Sequence, residues 1–201
     1  MIKAVIFDIG RVLMTYDWDA YFGGLFDGDR KKMKAVRDAF FENGIWDEVD
    51  RGVWPDEKLM EAFVQVSPGF KEELQLAWDR LGTAMERFSH TDGWIESLHE
   101  RGYEVYYLSN WSHHLLKQAE EPLRFTEKMD GGIFSCKVGK IKPDPAIYEM
   151  LMEKYGLLPE ECVFIDDKRA NTDAAKALGM QVVTFKDYEQ ASEELEKILS
   201  K

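Results

Sequence analysis

The sequence predicts an α/β protein with a doubly wound parallel sheet and a small all-helical cap inserted after the first strand. Two observations lead to this prediction. Short apolar runs alternate with helical segments along most of the chain, which is typical of a parallel sheet with crossover helices. One stretch near the N-terminus breaks the alternation, because residues 17–88 show helical patterns with no convincing strand between them.

Four apolar runs are predicted as strands, at residues 3–7, 104–108, 162–165 and 181–185. Each run is nearly continuous in apolar side chains, as strands covered by helices on both faces are. Strands of this kind, separated by helices, indicate a Rossmann-like core.

The helices between these strands have recognisable ends. Thr91 is a candidate N-cap for a helix that Gly102 ends. Pro145 is suited to the first turn of the next helix, and Gly156 to its C-terminal end. With the two that follow, the predicted helices of the core cover residues 91–101, 145–155, 171–178 and 189–199.

Residues 17–88 contain apolar side chains at helical spacing, such as Val36 and Phe40, and predict three or four helices. A segment that follows the first strand directly lies above the carboxyl end of that strand. In open α/β sheets this is where ligands bind. We therefore expect a helical cap at residues 17–88 over a core made of residues 1–16 and 89–201.

Composition and charge narrow the function classes. The net charge of −12 argues against nucleic acid or an anionic membrane as a partner, because both require a basic surface. The longest apolar runs fall short of the ~20 residues that a membrane helix needs. The first residues lack the long apolar region of a secretory leader, so we expect a cytoplasmic protein, and a monomer. Cys136 and Cys162 lack metal-site spacing and are expected to be reduced, buried thiols.

Four polar stretches contain candidate reactive residues. They are "FDIG" with Asp8, "LSNW" with Ser109, "KIKPDP" with Lys142, and "FIDDKRAN" with Asp166 and Asp167. Taken singly, each has an ordinary structural explanation, such as a turn-forming Asp or a solvated Lys. Three of the four directly follow predicted parallel strands, whose carboxyl ends meet at one edge of the sheet. We therefore expect them to form a single site.

Carboxylates that converge in this way repel each other unless a hard cation lies between them, and Mg²⁺ prefers oxygen ligands. Bound Mg²⁺ and Lys142 would neutralise phosphoryl oxygens, and Ser109 with nearby backbone N–H groups would donate hydrogen bonds to them. Asp8 would be the nucleophile. The predicted chemistry is phosphoryl transfer from a small phosphorylated metabolite through an aspartyl-phosphate.

In this order and spacing, "FDIGRVL", "LSNW", "KPDPAIY" and "VFIDDKRANTDAAKALGM" resemble the four motifs of the haloacid dehalogenase superfamily. The helical insertion resembles the C1-type cap of that superfamily, so the resemblance covers nearly the whole chain. It is greatest to small bacterial sugar-phosphate phosphatases, including α-D-glucose-1-phosphate phosphatases, and more distant to the phosphatase domain of soluble epoxide hydrolases. It implies hydrolysis of a phosphate monoester with Mg²⁺ as cofactor.

The resemblance also implies roles for individual residues. Asp8 matches the nucleophile and first metal ligand, while Ser109 and Lys142 match the groups that hold the phosphoryl group. Asp167 matches the metal-binding Asp of the fourth motif. The backbone carbonyl of Gly10 matches a further metal ligand, and this residue borders the substrate.

Three other residues are expected to support this site. Asp166 and Asn171 are expected to lie behind the metal ligands and orient them. Asn110 is expected to orient its neighbours and to contact the substrate.

Gly10 departs from the pattern of most phosphatases in the superfamily, which have an Asp there that protonates the leaving group. Loss of a general acid lowers a rate by about 10²- to 10⁴-fold but leaves the nucleophile in place. An easily expelled leaving group is affected less. Gly10 therefore favours esters such as hexose 1-phosphates, whose anomeric oxygen departs more readily than an ordinary alcohol.

Substrate specificity is expected from side chains of the cap and of the loops beside it. An aromatic wall with one or two polar groups suits a sugar ring. The candidates are Tyr16, Trp18, Trp46, Arg51 and Trp111. A Trp in a small helical segment is also a common core residue.

Two alternatives remain at this point. A 2-haloacid dehalogenase would need no proton for the departing halide, so Gly10 alone does not exclude it. The acidic pair Asp166 and Asp167 disfavours it, because dehalogenases of the superfamily use no metal. The second alternative is a non-catalytic module that binds phosphate or a protein partner, which the presence of Asp8, Ser109 and Lys142 disfavours.

Overall fold

The computed structural model describes residues 1–200. Five parallel strands form the main sheet in the order β5-β4-β1-β6-β7, and a separate two-stranded antiparallel ribbon pairs β2 with β3. In chain order the strands are β1 Ala4–Phe7, β2 Met14–Tyr16, β3 Met85–Arg87, β4 Glu104–Ser109, β5 Gly131–Phe134, β6 Cys162–Asp166 and β7 Gln181–Thr184.

Ten α-helices are present in residues 1–200. The first five lie between β2 and β3: α1 Trp18–Leu25, α2 Arg30–Phe41, α3 Ile45–Arg51, α4 Asp56–Val66 and α5 Lys71–Asp79. The other five surround the sheet: α6 Thr91–Glu100, α7 His113–Gln118, α8 Pro145–Tyr155, α9 Arg169–Ala177 and α10 Tyr188–Leu199. None of these helices is long and apolar enough to cross a membrane.

Helices cover both faces of the sheet, because successive side chains of a strand point to opposite faces. On one face Phe7 packs against Trp94 of α6, with ring centroids 4.8 Å apart. On the other face Ile6 belongs to a second cluster, in which Tyr148 of α8 contacts Phe164 of β6. This arrangement confirms the predicted doubly wound α/β fold and explains why β1 is apolar throughout.

The four predicted strands are confirmed to within a residue at each end, but β5 was not predicted. Its first two residues, Gly131 and Gly132, are of a type depleted in strands. Gly132 is required by its neighbour, because a Cβ atom there would lie 2.4 Å from both the carbonyl oxygen and the ring of Tyr107 on β4. The close contact between β4 and β5 therefore requires glycine at position 132, and a glycine in the sequence does not indicate a strand.

The inserted segment, residues 17–88, also differs in detail from its prediction. It contains five helices rather than three or four, and it ends in β3, although no strand was expected there. A strand of three residues is too short for an apolar alternation to be recognised. Thr91 is not an N-cap: it is the first residue of α6, and its hydroxyl donates a hydrogen bond to the carbonyl oxygen of Leu13.

The inserted segment contacts the sheet side of the molecule at the end of α3. The Ser135 hydroxyl donates a 2.6 Å hydrogen bond to the carbonyl oxygen of Asp50. Gly52, with φ of 69°, lies so close to Cys136 that a Cβ atom would be 2.6 Å from the Cβ of that cysteine. Cys136 and Cys162 are both buried, free cysteines. The end of α3 is thus held directly beside the loop that follows β5.

Candidate active site

Three polar residues lie at the carboxyl ends of adjacent strands. Asp8 directly follows β1, Ser109 ends β4 and Asp166 ends β6. The parallel register places Phe7 of β1 beside Tyr107 of β4 and Ile165 of β6, so the three ends are level. From β1 the strand order runs outward in both directions, to β4 and β5 on one side and to β6 and β7 on the other. Ligands bind at this switch point in open α/β sheets.

The carboxylate of Asp8 is buried and held by one of its two oxygens. Oδ1 accepts hydrogen bonds from the backbone N–H of Ile9 and from the Ser109 hydroxyl, each 2.8 Å long. The Lys142 Nζ atom also lies 2.8 Å from Oδ1. Oδ2 has no hydrogen-bond partner within residues 1–200. The side chain is therefore fixed while one oxygen remains free to react.

Lys142 is 3% exposed and its ammonium group has three oxygen partners. These are the Leu108 carbonyl and Asp166 Oδ2, each at 2.7 Å, and Asp8 Oδ1. Burial alone would lower the pKa of Lys142, but the two carboxylates outweigh it and raise the pKa. The side chain of Asn110 holds this loop in place by pairing with the backbone N–H and carbonyl of Lys142.

Asp166 is fully buried and orients Lys142. Both of its oxygens accept 2.9 Å hydrogen bonds from Asn171 Nδ2, and Oδ1 also accepts one from the backbone N–H of Lys168. Asp167 is less constrained, since its nearest cation is the Arg11 guanidinium at 3.9 Å. Burial and the nearby charge of Asp8 raise the pKa of Asp167.

Three carboxylates meet at this edge of the sheet. One oxygen from each of Asp8, Asp166 and Asp167 lies within 4.8 Å of the others. Such crowding of negative charge in a buried setting is relieved by a divalent cation, and an all-oxygen donor set fits Mg²⁺. The oxygens of Asp166 are already engaged by Lys142, Asn171 and a backbone N–H, so Asp8 and Asp167 are the better-placed ligands.

A cavity of about 90 Å³ lies directly over Asp8. It brings together residues from the sheet edge and from the inserted segment. Its lining consists of Asp8, Gly10, Tyr16, Trp18, Trp46, Asp50, Met85, Ser109, Asn110, Trp111, Leu115, Lys142, Asp167, Lys168 and Asn171. A larger groove of about 590 Å³ between α4 and α5 contains none of the sheet-edge carboxylates.

All but two of the site residues predicted from the sequence line this cavity. Asp166 lies beneath it and contacts Lys142. Arg51, which was predicted to contact the substrate, does not line this cavity. Its side chain pairs with Glu48, and the preceding residue, Asp50, lines the cavity instead.

The position of Asp50 carries a signal in the sequence that was not used. Trp46 and Asp50 are four residues apart on α3 and therefore share one face of the helix, whereas Arg51 points elsewhere. Burial raises the pKa of Asp50 to about 7, and the positive charge of Lys168 opposes this shift. Lys168, Met85 and Leu115 also line the cavity without having been predicted.

The aromatic residues of the wall serve two roles. Trp18 and Trp46 line the cavity and also pack against Phe41, with ring centroids 5.4 Å and 4.7 Å from it. Trp111 is buried, and its Nε1 atom is the one side-chain nitrogen or oxygen in the described chain that is completely inaccessible to solvent and has no hydrogen-bond partner. Trp111 therefore carries an unused donor on a residue that borders the cavity.

Gly10 lies over Asp8 with the ring of Tyr16 against it. A Cβ atom at position 10 would be 2.9 Å from Tyr16 Cε1 and 3.1 Å from the Tyr16 hydroxyl oxygen. Burial, reinforced by the charge of Asp8, raises the pKa of Tyr16. The space that a side chain at position 10 would fill is thus occupied by a neutral tyrosine.

Comparison with known proteins places this site in a family. Residues 2–179 match the family described as haloacid dehalogenase-like hydrolase. The chain is 27% identical to D-ribitol-5-phosphate phosphatase of Bacteroides thetaiotaomicron over 213 residues, which cover all of both chains. It is 36% identical over 80 residues to bifunctional epoxide hydrolase 2 of Rattus norvegicus, and that match spans 14% of the relative's length.

A solved structure shows the same architecture. A HAD family enzyme from Bacteroides thetaiotaomicron, in complex with magnesium and inorganic phosphate, has a TM-score of 0.78 at 22% identity. The alignment covers 96% of this chain and 99% of that one, and it establishes the shared fold. With the match over residues 2–179, it shows that this chain belongs to the haloacid dehalogenase-like hydrolases.

Proposed function

We propose that this chain is a Mg²⁺-dependent phosphatase that hydrolyses a small phosphate monoester through an aspartyl-phosphate on Asp8. One observation carries the proposal: a buried carboxylate is held through a single oxygen by Ser109, Lys142 and a backbone N–H, with two further carboxylates beside it. The free oxygen, Oδ2, is the attacking atom.

The residues divide the chemistry between them. Asp8 attacks phosphorus, while Lys142 and Ser109 stabilise negative charge on the phosphoryl oxygens. Asp166 and Asn171 keep Lys142 oriented and charged. Asp8, Asp167 and the backbone carbonyl of Gly10 would hold Mg²⁺, which when bound supplies positive charge to the phosphoryl oxygens.

The preferred substrate is proposed to be a sugar phosphate, such as a hexose 1-phosphate. The cavity of about 90 Å³ is large enough for a phosphoryl group. Pockets that enclose a whole ligand are larger, with volumes of about 300–1,000 Å³. The remainder of the substrate would then contact the aromatic wall of Trp18, Trp46 and Trp111 as the inserted segment moves. The inserted segment is thus proposed to act as a cap. A relative that is named for a sugar-alcohol phosphate supports this substrate class.

The experiment is a panel of phosphate esters assayed with and without Mg²⁺. It compares hexose 1-phosphates, hexose 6-phosphates, a pentitol 5-phosphate and 4-nitrophenyl phosphate, and it includes Asp8→Asn as a control. We expect turnover that requires both Mg²⁺ and Asp8. Equal rates with hexose 1- and 6-phosphates would contradict the proposed preference for hexose 1-phosphates.

The two alternatives give different outcomes in the same assay. Release of halide from a 2-haloacid in excess chelator would identify a dehalogenase. Binding of phosphate and Mg²⁺ without turnover of any ester would identify a non-catalytic module. The cytoplasmic location and the monomeric state stay predictions from the sequence.

A further inference from the structure

The leaving group of a phosphate monoester departs as an alkoxide unless a donor supplies a proton, and most donors around Asp8 are already engaged. The three hydrogens of the Lys142 ammonium have three oxygen partners. The Ser109 hydroxyl donates to Asp8, and the Asn171 amide nitrogen donates to Asp166, shared between its two oxygens. A donor to the leaving group must therefore come from elsewhere in the cavity lining.

Tyr16 is a donor that lies against the loop that follows Asp8. Its hydroxyl oxygen is 3.1 Å from the point where a Cβ atom of residue 10 would be, two residues after Asp8. Within residues 1–200 this hydroxyl makes no hydrogen bond. The Trp111 indole is also unpartnered, but an indole N–H donates a hydrogen bond without releasing its proton.

The fold holds Tyr16 in this place from two directions. Residues 8–16 fold back on themselves, with the Arg11 N–H donating a 2.7 Å hydrogen bond to the Met14 carbonyl. Tyr16 ends β2 and pairs with Met85 of β3. Tyr16 is thus fixed by backbone pairing as well as by its contact with Gly10.

We propose that the Tyr16 hydroxyl donates to the oxygen of the leaving group and so does the work that a carboxylic acid at position 10 would do. This inference rests on the proposed phosphatase function and adds a residue to it. Gly10 and Tyr16 are then a matched pair, because the ring occupies the space that opens when residue 10 has no side chain.

The proposed steps balance as follows. An oxygen of Asp8 attacks phosphorus, the bond from phosphorus to the ester oxygen breaks, and that oxygen takes the Tyr16 proton as it leaves as an alcohol. Water then attacks the phosphorus of the aspartyl-phosphate and gives a proton to the Tyr16 oxygen. The bond from phosphorus to Asp8 breaks, and phosphate leaves with the carboxylate and the tyrosine restored.

The test is the dependence of rate on leaving group in Tyr16→Phe, which removes one oxygen and keeps the ring. Substituted phenyl phosphates and an alkyl phosphate are assayed in the presence of Mg²⁺. We expect kcat/KM to fall less than about threefold with 4-nitrophenyl phosphate, whose leaving group needs no proton. With the alkyl ester we expect a fall of about 10²-fold or more, the size typical of a lost general acid.

An equal loss on all esters, or no loss on any, would overturn the proposal. Asp50→Asn is a rival variant, because the carboxyl of Asp50 lines the same cavity and can also supply a proton. A leaving-group dependence that steepens in Asp50→Asn and not in Tyr16→Phe would assign the role to Asp50. The thermal unfolding midpoint of each variant shows whether it is folded.

A side-chain exchange gives an independent test. Gly10→Asp alone places its Cβ against the Tyr16 ring and is expected to lower activity. In a Tyr16→Ala background the same substitution has room, and we expect it to restore at least tenfold activity toward the alkyl ester. Absence of restoration in a folded double variant would count against the matched pair.

These outcomes are separate from the test of the proposed function. If the parent cleaves no ester, or cleaves esters equally well as Asp8→Asn, the phosphatase proposal fails. If the parent cleaves 4-nitrophenyl phosphate and only the Tyr16 pattern is missing, this inference fails and the phosphatase proposal stands.

Discussion

The two sides of the cavity are built on different principles. On the sheet side, the two most deeply buried charges have several partners: Lys142 contacts three oxygens, and Asp166 accepts hydrogen bonds from three residues. On the side of the inserted segment, Trp18 and Trp46 present rings, and the Asp50 carboxyl accepts no hydrogen bond within residues 1–200. The sheet side holds its charged groups in fixed positions, and the helices present a surface with fewer polar contacts.

The largest effect is expected when the proposed nucleophile, Asp8, is replaced. Asp8→Asn keeps the shape of the side chain and its Ser109 contact but abolishes attack on phosphorus. We expect a loss of about 10⁴-fold or more in kcat, as for other nucleophile removals. The measurement is steady-state hydrolysis of 4-nitrophenyl phosphate with Mg²⁺. A variant as active as the parent would exclude the aspartyl-phosphate.

Lys142→Met tests whether the sheet side depends on its buried cation. The substitution leaves the carboxylates of Asp8 and Asp166 facing each other without a positive charge between them. Removal of one partner from a buried ion pair costs about 3–5 kcal/mol in free energy of unfolding. Denaturant unfolding measures this, with Lys140→Met as an exposed control expected to stay within about 0.5 kcal/mol of the parent.

Asp50→Asn tests the side of the inserted segment through the pH dependence of the free energy of unfolding. Burial raises the folded-state pKa of Asp50 from 3.8 to about 7, so the folded protein binds more protons than the unfolded chain between these values. Asp50 therefore contributes a loss of stability to the parent as pH rises from about 4 to 7, and the variant lacks this contribution. At about 1.4 kcal/mol per pKa unit, the difference reaches a few kcal/mol above pH 7.

This difference is measured by denaturant unfolding between pH 4 and pH 8 in the presence of a chelator. Glu61→Gln is the control, because Glu61 is an exposed carboxylate on α4. A constant offset between parent and Asp50→Asn at all pH values would show that Asp50 is charged throughout this range in the folded protein.

The smallest effect is expected at Trp111, which borders the cavity. Trp111→Phe removes the unpartnered indole N–H, so the free protein should be equally stable or more stable by about 1 kcal/mol. If a substrate oxygen accepts from that N–H, KM rises severalfold with little change in kcat. Trp94→Phe, a buried Trp away from the cavity, is expected to lower stability and leave KM unchanged.

The sheet side of the cavity could be predicted from the sequence better than the side formed by the inserted segment. Residues such as Asp8 and Ser109 stand at the ends of apolar strands, and parallel pairing fixes where strand ends meet. On the side of the inserted segment, the lining depends on which face of a short helix turns inward, and there Asp50, which was not predicted, lines the cavity beside Trp46. The role proposed for Tyr16 depends on a contact with Gly10 in a folded turn, which no spacing rule reveals.

Gly52 links the two sides at a point outside the cavity. Besides its approach to the Cβ atom of Cys136, a methyl group at position 52 would come within 2.9 Å of the Cα atom of that residue, so no rotamer change could relieve the overlap. A substitution such as Gly52→Ala is expected to push α3 away from Cys136, and Trp46 and Asp50 would move with the helix. A residue that does not line the cavity over Asp8 therefore limits how closely α3, with Trp46 and Asp50, approaches the loop after β5.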